Sequence, residues 1–94
     1  MSATNYLYSS PDFVHYPTVM ANVDIMATDP KGTNRMCRRI TCDGPTIGTA
    51  YNVVLTRGDG TNVTMTVVAG GSLEVQAKAI VAMGTTATNV GVYW

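Results

Sequence analysis

Ser72-Leu73-Glu74-Val75-Gln76-Ala77-Lys78-Ala79-Ile80-Val81-Ala82-Met83-Gly84-Thr85-Thr86-Ala87-Thr88-Asn89-Val90-Gly91-Val92-Tyr93-Trp94 is the stretch whose reading decides the fold. Leu73, Val75, Ala77, Ala79, Val81 and Met83 fall on every second position, with Glu74, Gln76 and Lys78 between them. Strict alternation is the pattern of a strand with one buried and one wet face, because successive side chains point to opposite sides. The spacing therefore predicts one long strand over 73–83. A helix is the alternative, since Glu, Gln, Ala and Lys all favour one. After Gly84 a Thr-rich connection leads to a second alternation, Val90, Val92 and Trp94. A terminal strand with a large aromatic is usually pinned into a sheet, so the C-terminus reads as a closing strand.

Working outward, the clearest hairpin precedes this stretch. Tyr51-Asn52-Val53-Val54-Leu55-Thr56 and Asn62-Val63-Thr64-Met65-Thr66-Val67-Val68 flank Arg57-Gly58-Asp59-Gly60-Thr61, whose glycines suit a tight turn. Ala69-Gly70-Gly71 reads as a second hairpin turn leading into the long strand. Arg38-Arg39-Ile40-Thr41-Cys42 and Val19–Ala27 are shorter strand candidates, separated by the loop Asp29-Pro30-Lys31-Gly32-Thr33-Asn34. Short strands punctuated this often, with few helix formers, predict an all-β fold: a small antiparallel β-sandwich or barrel.

Residues 1–29 show no sustained period. Four of the seven aromatics lie here, Tyr6, Tyr8, Phe13 and Tyr16, interrupted by Pro11 and Pro17. Proline favours extended backbone around it, and disordered tails are poor in aromatics. The expectation is an extended N-terminal arm over 1–29 that lies on a surface, its own or a neighbour's, followed by a β domain over 30–94. Tyr6, Tyr8, Phe13 and Tyr16 are then its contact residues.

Ninety-four residues make one small domain, which buries a modest share of its surface and usually needs a staple. Cys37 and Cys42, five apart, would face opposite ways on one strand, which disfavours a bridge. One histidine, His15, is too few for the usual zinc sets. By elimination the staple is other copies of the chain. Six basic residues balance six acidic ones, and 13% of residues are charged beside 46% hydrophobic. That balance supplies no general pull toward nucleic acid or an anionic membrane. It suits a subunit whose surface is partly covered. No span of about 20 apolar residues is present, and Met1–Tyr6 lacks the features of a signal peptide. Synthesis in a cytoplasm with reduced thiols is the expectation.

Ala82-Met83-Gly84-Thr85-Thr86-Ala87-Thr88-Asn89-Val90-Gly91-Val92-Tyr93-Trp94 resembles the closing segment of small head spike base proteins of tailed phages and phage-like gene transfer agents. Those proteins commonly end in a Gly-Thr-Thr-Ala-Thr turn, a short apolar strand and a terminal aromatic. The order before it, a basic short strand, a hairpin and a Gly-containing turn, is similar too, so the resemblance covers about Arg38 to Trp94. The aromatic N-terminal segment, Cys37, Cys42 and Gly91 depart from the family pattern. The resemblance implies a non-enzymatic virion protein that assembles symmetrically as a capsid decoration or spike base. Its implied partners are copies of itself, a major capsid protein or another virion protein, and a fibre protein. No cofactor is expected.

Several constellations invite chemistry and have plainer readings. Arg57-Gly58-Asp59 spells an adhesion tripeptide, yet Gly and Asp are what the turn selects. Asn62-Val63-Thr64 is a glycosylation sequon, and on a strand its Asn and Thr are outward residues. His15 in the arm reads as a contact residue, and the dispersed acids form no spaced pair. Cys37 beside two arginines would be reactive if its pKa were lowered, but its plainer reading is a half-buried structural thiol. Arg35, Arg38 and Arg39 form the one basic cluster, read as a contact with a neighbouring chain because guanidinium forks suit carboxylates. The competing functional class is an adhesion module that binds a receptor or glycan through its hairpin loops, with Tyr51, Tyr93 and Trp94 exposed as stacking platforms.

Overall fold

Alternation of apolar and polar residues builds strands here, and their inward faces close against each other. A computed structural model describes residues 12–94 as eight strands. They are β1 (Phe13–Thr18), β2 (Val23–Asp24), β3 (Arg39–Gly44), β4 (Ala50–Thr56), β5 (Asn62–Val68), β6 (Gly71–Leu73), β7 (Ala79–Val81) and β8 (Thr88–Tyr93). They form two four-stranded antiparallel sheets, ordered β1-β8-β3-β6 and β2-β7-β4-β5. The fold is an all-β sandwich, with no helix among the described residues.

The core lies between the sheets. Ile40, Val90 and Val92 from the first sheet meet Val53, Leu55 and Ile80 from the second, with Ile25 and Trp94 at one end. Fully burying one such side chain contributes about 1.5–3 kcal/mol, against about 0–1 kcal/mol for an exposed ion pair. Apolar burial, rather than surface charge, therefore holds the sheets together. Cys37 and Cys42 are both buried and unpaired, and both side chains enter this core. The opposite-face expectation fails because Cys37 precedes β3 instead of lying on it.

The β4–β5 hairpin forms as its local sequence demands, with Tyr51↔Val67, Val53↔Met65 and Leu55↔Val63 opposed on its inner face. In its turn Gly60 adopts φ +91°, a left-handed conformation that glycine tolerates without strain.

The stretch read as one strand is instead two. β6 pairs with β3 in the first sheet, and β7 pairs with β4 and β2 in the second. Residues 74–78 carry the chain across the sandwich while still turning Val75 and Ala77 inward. The phase then shifts: Ile80 is buried, whereas Met83 is 87% exposed. Alternate burial in a crossing segment mimics a strand's period, which explains the misreading. Ala69-Gly70 likewise delivers the chain to the opposite sheet, with the Gly70 amide donating to the Cys42 carbonyl.

Within 1–29, Phe13–Thr18 is an edge strand paired along its length with β8. The strand expected over 19–27 shrinks to the two residues of β2.

Candidate interaction surface

Arg35, the first of the three clustered arginines, is consumed by its own chain. Asp29, at the start of the loop between β2 and β3, is buried, with a side chain wholly removed from solvent. Its Oδ1 accepts from the Lys31 amide at 2.9 Å and from Arg35 Nη2 at 2.8 Å. Its Oδ2 accepts from the Thr33 hydroxyl, the Arg35 amide and Arg35 Nε, at 2.8, 3.0 and 2.9 Å. The guanidinium fork thus grips the carboxylate with two parallel bonds, a geometry ammonium groups lack. Those bonds hold the Asp29 carboxyl well below the usual carboxylate range, despite an opposing desolvation effect, and raise the Arg35 guanidinium further above its already high value.

Asp12 joins from the start of β1, 3.3 Å from Arg35 Nη2 and 3.7 Å from Lys31 Nζ. The Trp94 indole N–H donates to the Arg35 carbonyl at 3.0 Å, and the Trp94 amide to the Asp12 carbonyl at 2.9 Å. Three distant pieces of chain are therefore tied at one end of the sandwich. The role of Asp29 was hidden in sequence, where Asp-Pro-Lys-Gly-Thr-Asn reads only as a turn. The sole hint was an Asp followed two and four residues later by groups that can donate to it.

Arg39 points outward from β3. Its Nε lies 3.0 Å from Glu74 Oε1, and its guanidinium sits 5.9 Å above the Tyr93 ring. Tyr93 in turn packs against Phe13 with centroids 4.6 Å apart, and Phe13 lies 6.5 Å from His15. Glu74, Arg39, Tyr93, Phe13 and His15 thus form a row across the outer face of the first sheet. Gly91 makes the row possible: a Cβ there would stand 2.5 Å from Thr41 Oγ1 and 2.7 Å from Phe13 Cε1. Only a bare backbone lets the Phe13 ring lie over β8. The row was not legible because it needs the register Phe13↔Tyr93↔Arg39, which joins three sequence-distant strands. Arg38 is exposed, so the basic triplet resolves into three different environments.

The aromatic set divides too. Tyr6 and Tyr8 lie outside the described residues. Phe13 faces outward, whereas Tyr16 packs on the core and reaches the Thr28 hydroxyl at 3.4 Å.

The Gly-Thr-Thr-Ala-Thr segment finishes the edge of β4 where β7 ends. Thr86 Oγ1 accepts from the Asn52 amide and Thr85 Oγ1 from the Val54 amide, at 2.9 and 3.0 Å. The Thr85 hydroxyl itself donates to the Val81 carbonyl, while the Thr86 and Ala87 amides donate to the Asn52 carbonyl. Hydroxyls and amides here replace a missing stretch of neighbouring strand.

This chain is similar to a chain of a GTA capsid. The solved structure, the capsid of a native GTA particle computed with C5 symmetry, contains a chain that is 28% identical and superposes with a TM-score of 0.52. The similarity covers 98% of this chain and 99% of that one. No protein-family model matches the chain, and no curated protein matches it significantly.

The remaining sequence candidates take structural roles. Asp59 Oδ1 accepts from the Thr61 amide and hydroxyl at 2.9 and 2.7 Å, which orders the turn and lowers the Asp59 pKa. Asn62 Oδ1 accepts from the Thr56 hydroxyl. Burial pushes the Cys37 thiol up, and its Sγ donates to the Val75 carbonyl, so it is a core thiol, not an activated one. Of the proposed stacking platforms, Trp94 is buried and the Tyr51 hydroxyl accepts from the Thr46 amide, leaving Tyr93 on the outer face. Among the described residues, no group of three or more His, Cys, Asp or Glu side chains could hold a metal ion.

Proposed function

We propose that this protein is a structural subunit of a phage-like particle, assembling with copies of itself as a capsid decoration or head spike base. End-to-end similarity to a chain of the GTA capsid carries this reading. The surface supports it. The outer faces of β4 and β5 present Asn52, Thr56, Asn62, Thr64 and Thr66, with no charge, while Phe13, Tyr93 and Arg39 offer an aromatic and cationic row on the other sheet. Aromatic and Arg side chains are the types enriched in protein interfaces. The row and residues 1–11, with Tyr6 and Tyr8, are the contacts with the shell or with a fibre.

Particles lacking this protein, mixed with the purified chain, provide the test. Cryo-electron microscopy should show its density restored at symmetric positions on the particle. A chain truncated before Asp12 should stay folded yet bind with reduced occupancy, and Phe13→Ala with Arg39→Ala should reduce it further. Failure of the full-length chain to associate with particles refutes the reading. Normal occupancy of the truncated chain removes residues 1–11 from it.

A further inference from the structure

We infer that β5 is a docking edge for β5 of a second copy, so that two chains join their β2-β7-β4-β5 sheets into one continuous antiparallel sheet. The inference deepens the reading as a self-assembling subunit, but it rests on the edge itself and is tested away from any particle.

A strand at the margin of a sheet exposes unpaired amides and carbonyls, and natural proteins blunt such margins with brevity, charge or proline. Three of the four margins here are blunted. β2 is two residues long and carries Asp24; β6 is three residues long and is followed by Glu74. β1 is longer, but it contains Pro17. The Trp94 amide bonds the Asp12 carbonyl, so residues 12, 14, 16 and 18 face β8 and Pro17 turns its donorless nitrogen to the open side.

β5 has none of these devices. It runs seven residues, Asn62-Val63-Thr64-Met65-Thr66-Val67-Val68, without proline, glycine or charge. The Arg57 amide bonds the Thr61 carbonyl, and the Ala69 amide bonds the Thr49 carbonyl. The alternation between them turns residues 63, 65 and 67 toward β4 and residues 62, 64, 66 and 68 toward the open side. The backbone groups of those four residues have no partner among the described residues. On the inner face Val63 and Met65 remain half-exposed, and at the strand's end Val68 and Ile47 are exposed.

The strand is its own complement. Antiparallel pairing about Met65 opposes Thr64 with Thr66 and Val63 with Val67 of the second copy. Apolar side chains then meet on the inner face, and hydroxyls meet on the outer one. With residues 62, 64, 66 and 68 of each copy contributing, such a ladder offers about eight hydrogen bonds. The absence of charge removes the like-charge repulsion that two identical strands would otherwise suffer. A shift of register by two residues keeps every face matched, so the contact selects another β5 without needing a unique partner sequence.

The test uses the full chain in two measurements. Sedimentation across a concentration series should show reversible dimer formation. Amide hydrogen exchange should then protect Thr64 and Thr66 at high concentration and release them on dilution, while Val63 and Met65, bonded to β4, stay protected throughout. Thr64→Pro removes only an open-side donor, and Thr64→Lys with Thr66→Lys places cations opposite each other. Each variant should weaken dimerisation at least about tenfold without losing the fold seen by circular dichroism. A wild-type chain monomeric at all concentrations overturns the proposal, as does a dimer in which Thr64 and Thr66 exchange freely. Protection of those amides in a monomer also overturns it, because the chain's own residues 1–11 would then occupy the edge.

Discussion

Two regions of this sandwich treat their polar groups in opposite ways. At the end marked by Trp94, a buried carboxylate, a guanidinium, a tryptophan indole and several amides satisfy one another within a single chain. Along β5, backbone amides and carbonyls of the same intrinsic strength are left open by the described residues. The difference follows from access to water. A charge withdrawn from solvent must be paired inside the fold, whereas an edge donor can use water until another strand replaces it. Internal satisfaction marks what the fold needs, and its absence marks where another chain can bind.

The comparison can be broken by substitution. Asp29→Ala should do most harm, since it strands the Arg35 fork and three other donors; thermal denaturation should show Tm falling by on the order of 10 °C. Acid should act similarly. Asp29 stays charged in the folded chain while the unfolded chain takes up its proton near pH 4, so its contribution is complete above about pH 5 and drains away below that. Stability in the Asp29→Ala variant should depend less steeply on pH in this range. Gly91→Val should cost about 1–3 kcal/mol by forcing Phe13 and Thr41 apart, measurable by urea denaturation. Thr85→Val removes the hydroxyl between Val54 and Val81 and should cost about 1–2 kcal/mol in the same assay. Arg39→Ala should cost less than about 1 kcal/mol and lose its effect in high salt, because the Glu74 pair is exposed. Smallest of all is Thr64→Pro, expected near zero in the monomer, whereas Met65→Pro, one residue on, breaks a β4 bond and should destabilise strongly. Equal losses from Thr64→Pro and Asp29→Ala would erase the distinction between the sealed end and the open edge.

Legibility in the sequence followed the range of the interactions. The β4–β5 hairpin could be read because its turn and both strands are neighbours, and the buried Trp94 because few folds leave such a ring in water. The split of 73–83 could not be read, since alternation reports neither which sheet a residue belongs to nor where the inward phase changes. The separate environments of the three arginines were hidden for a related reason. Arg35, Arg38 and Arg39 are close in sequence, but one grips Asp29, one is exposed and one meets Glu74.

Composition and periodicity alone determined the all-β class, the tight turn at 57–61 and the inward residues of the β4–β5 hairpin, because each depends on residues a few positions apart. Only the tertiary structure decided which strands share a sheet, which carboxylate Arg35 holds and which edge the described residues leave open. Those outcomes depend on register between distant strands, and register is settled when the two sheets close over one core.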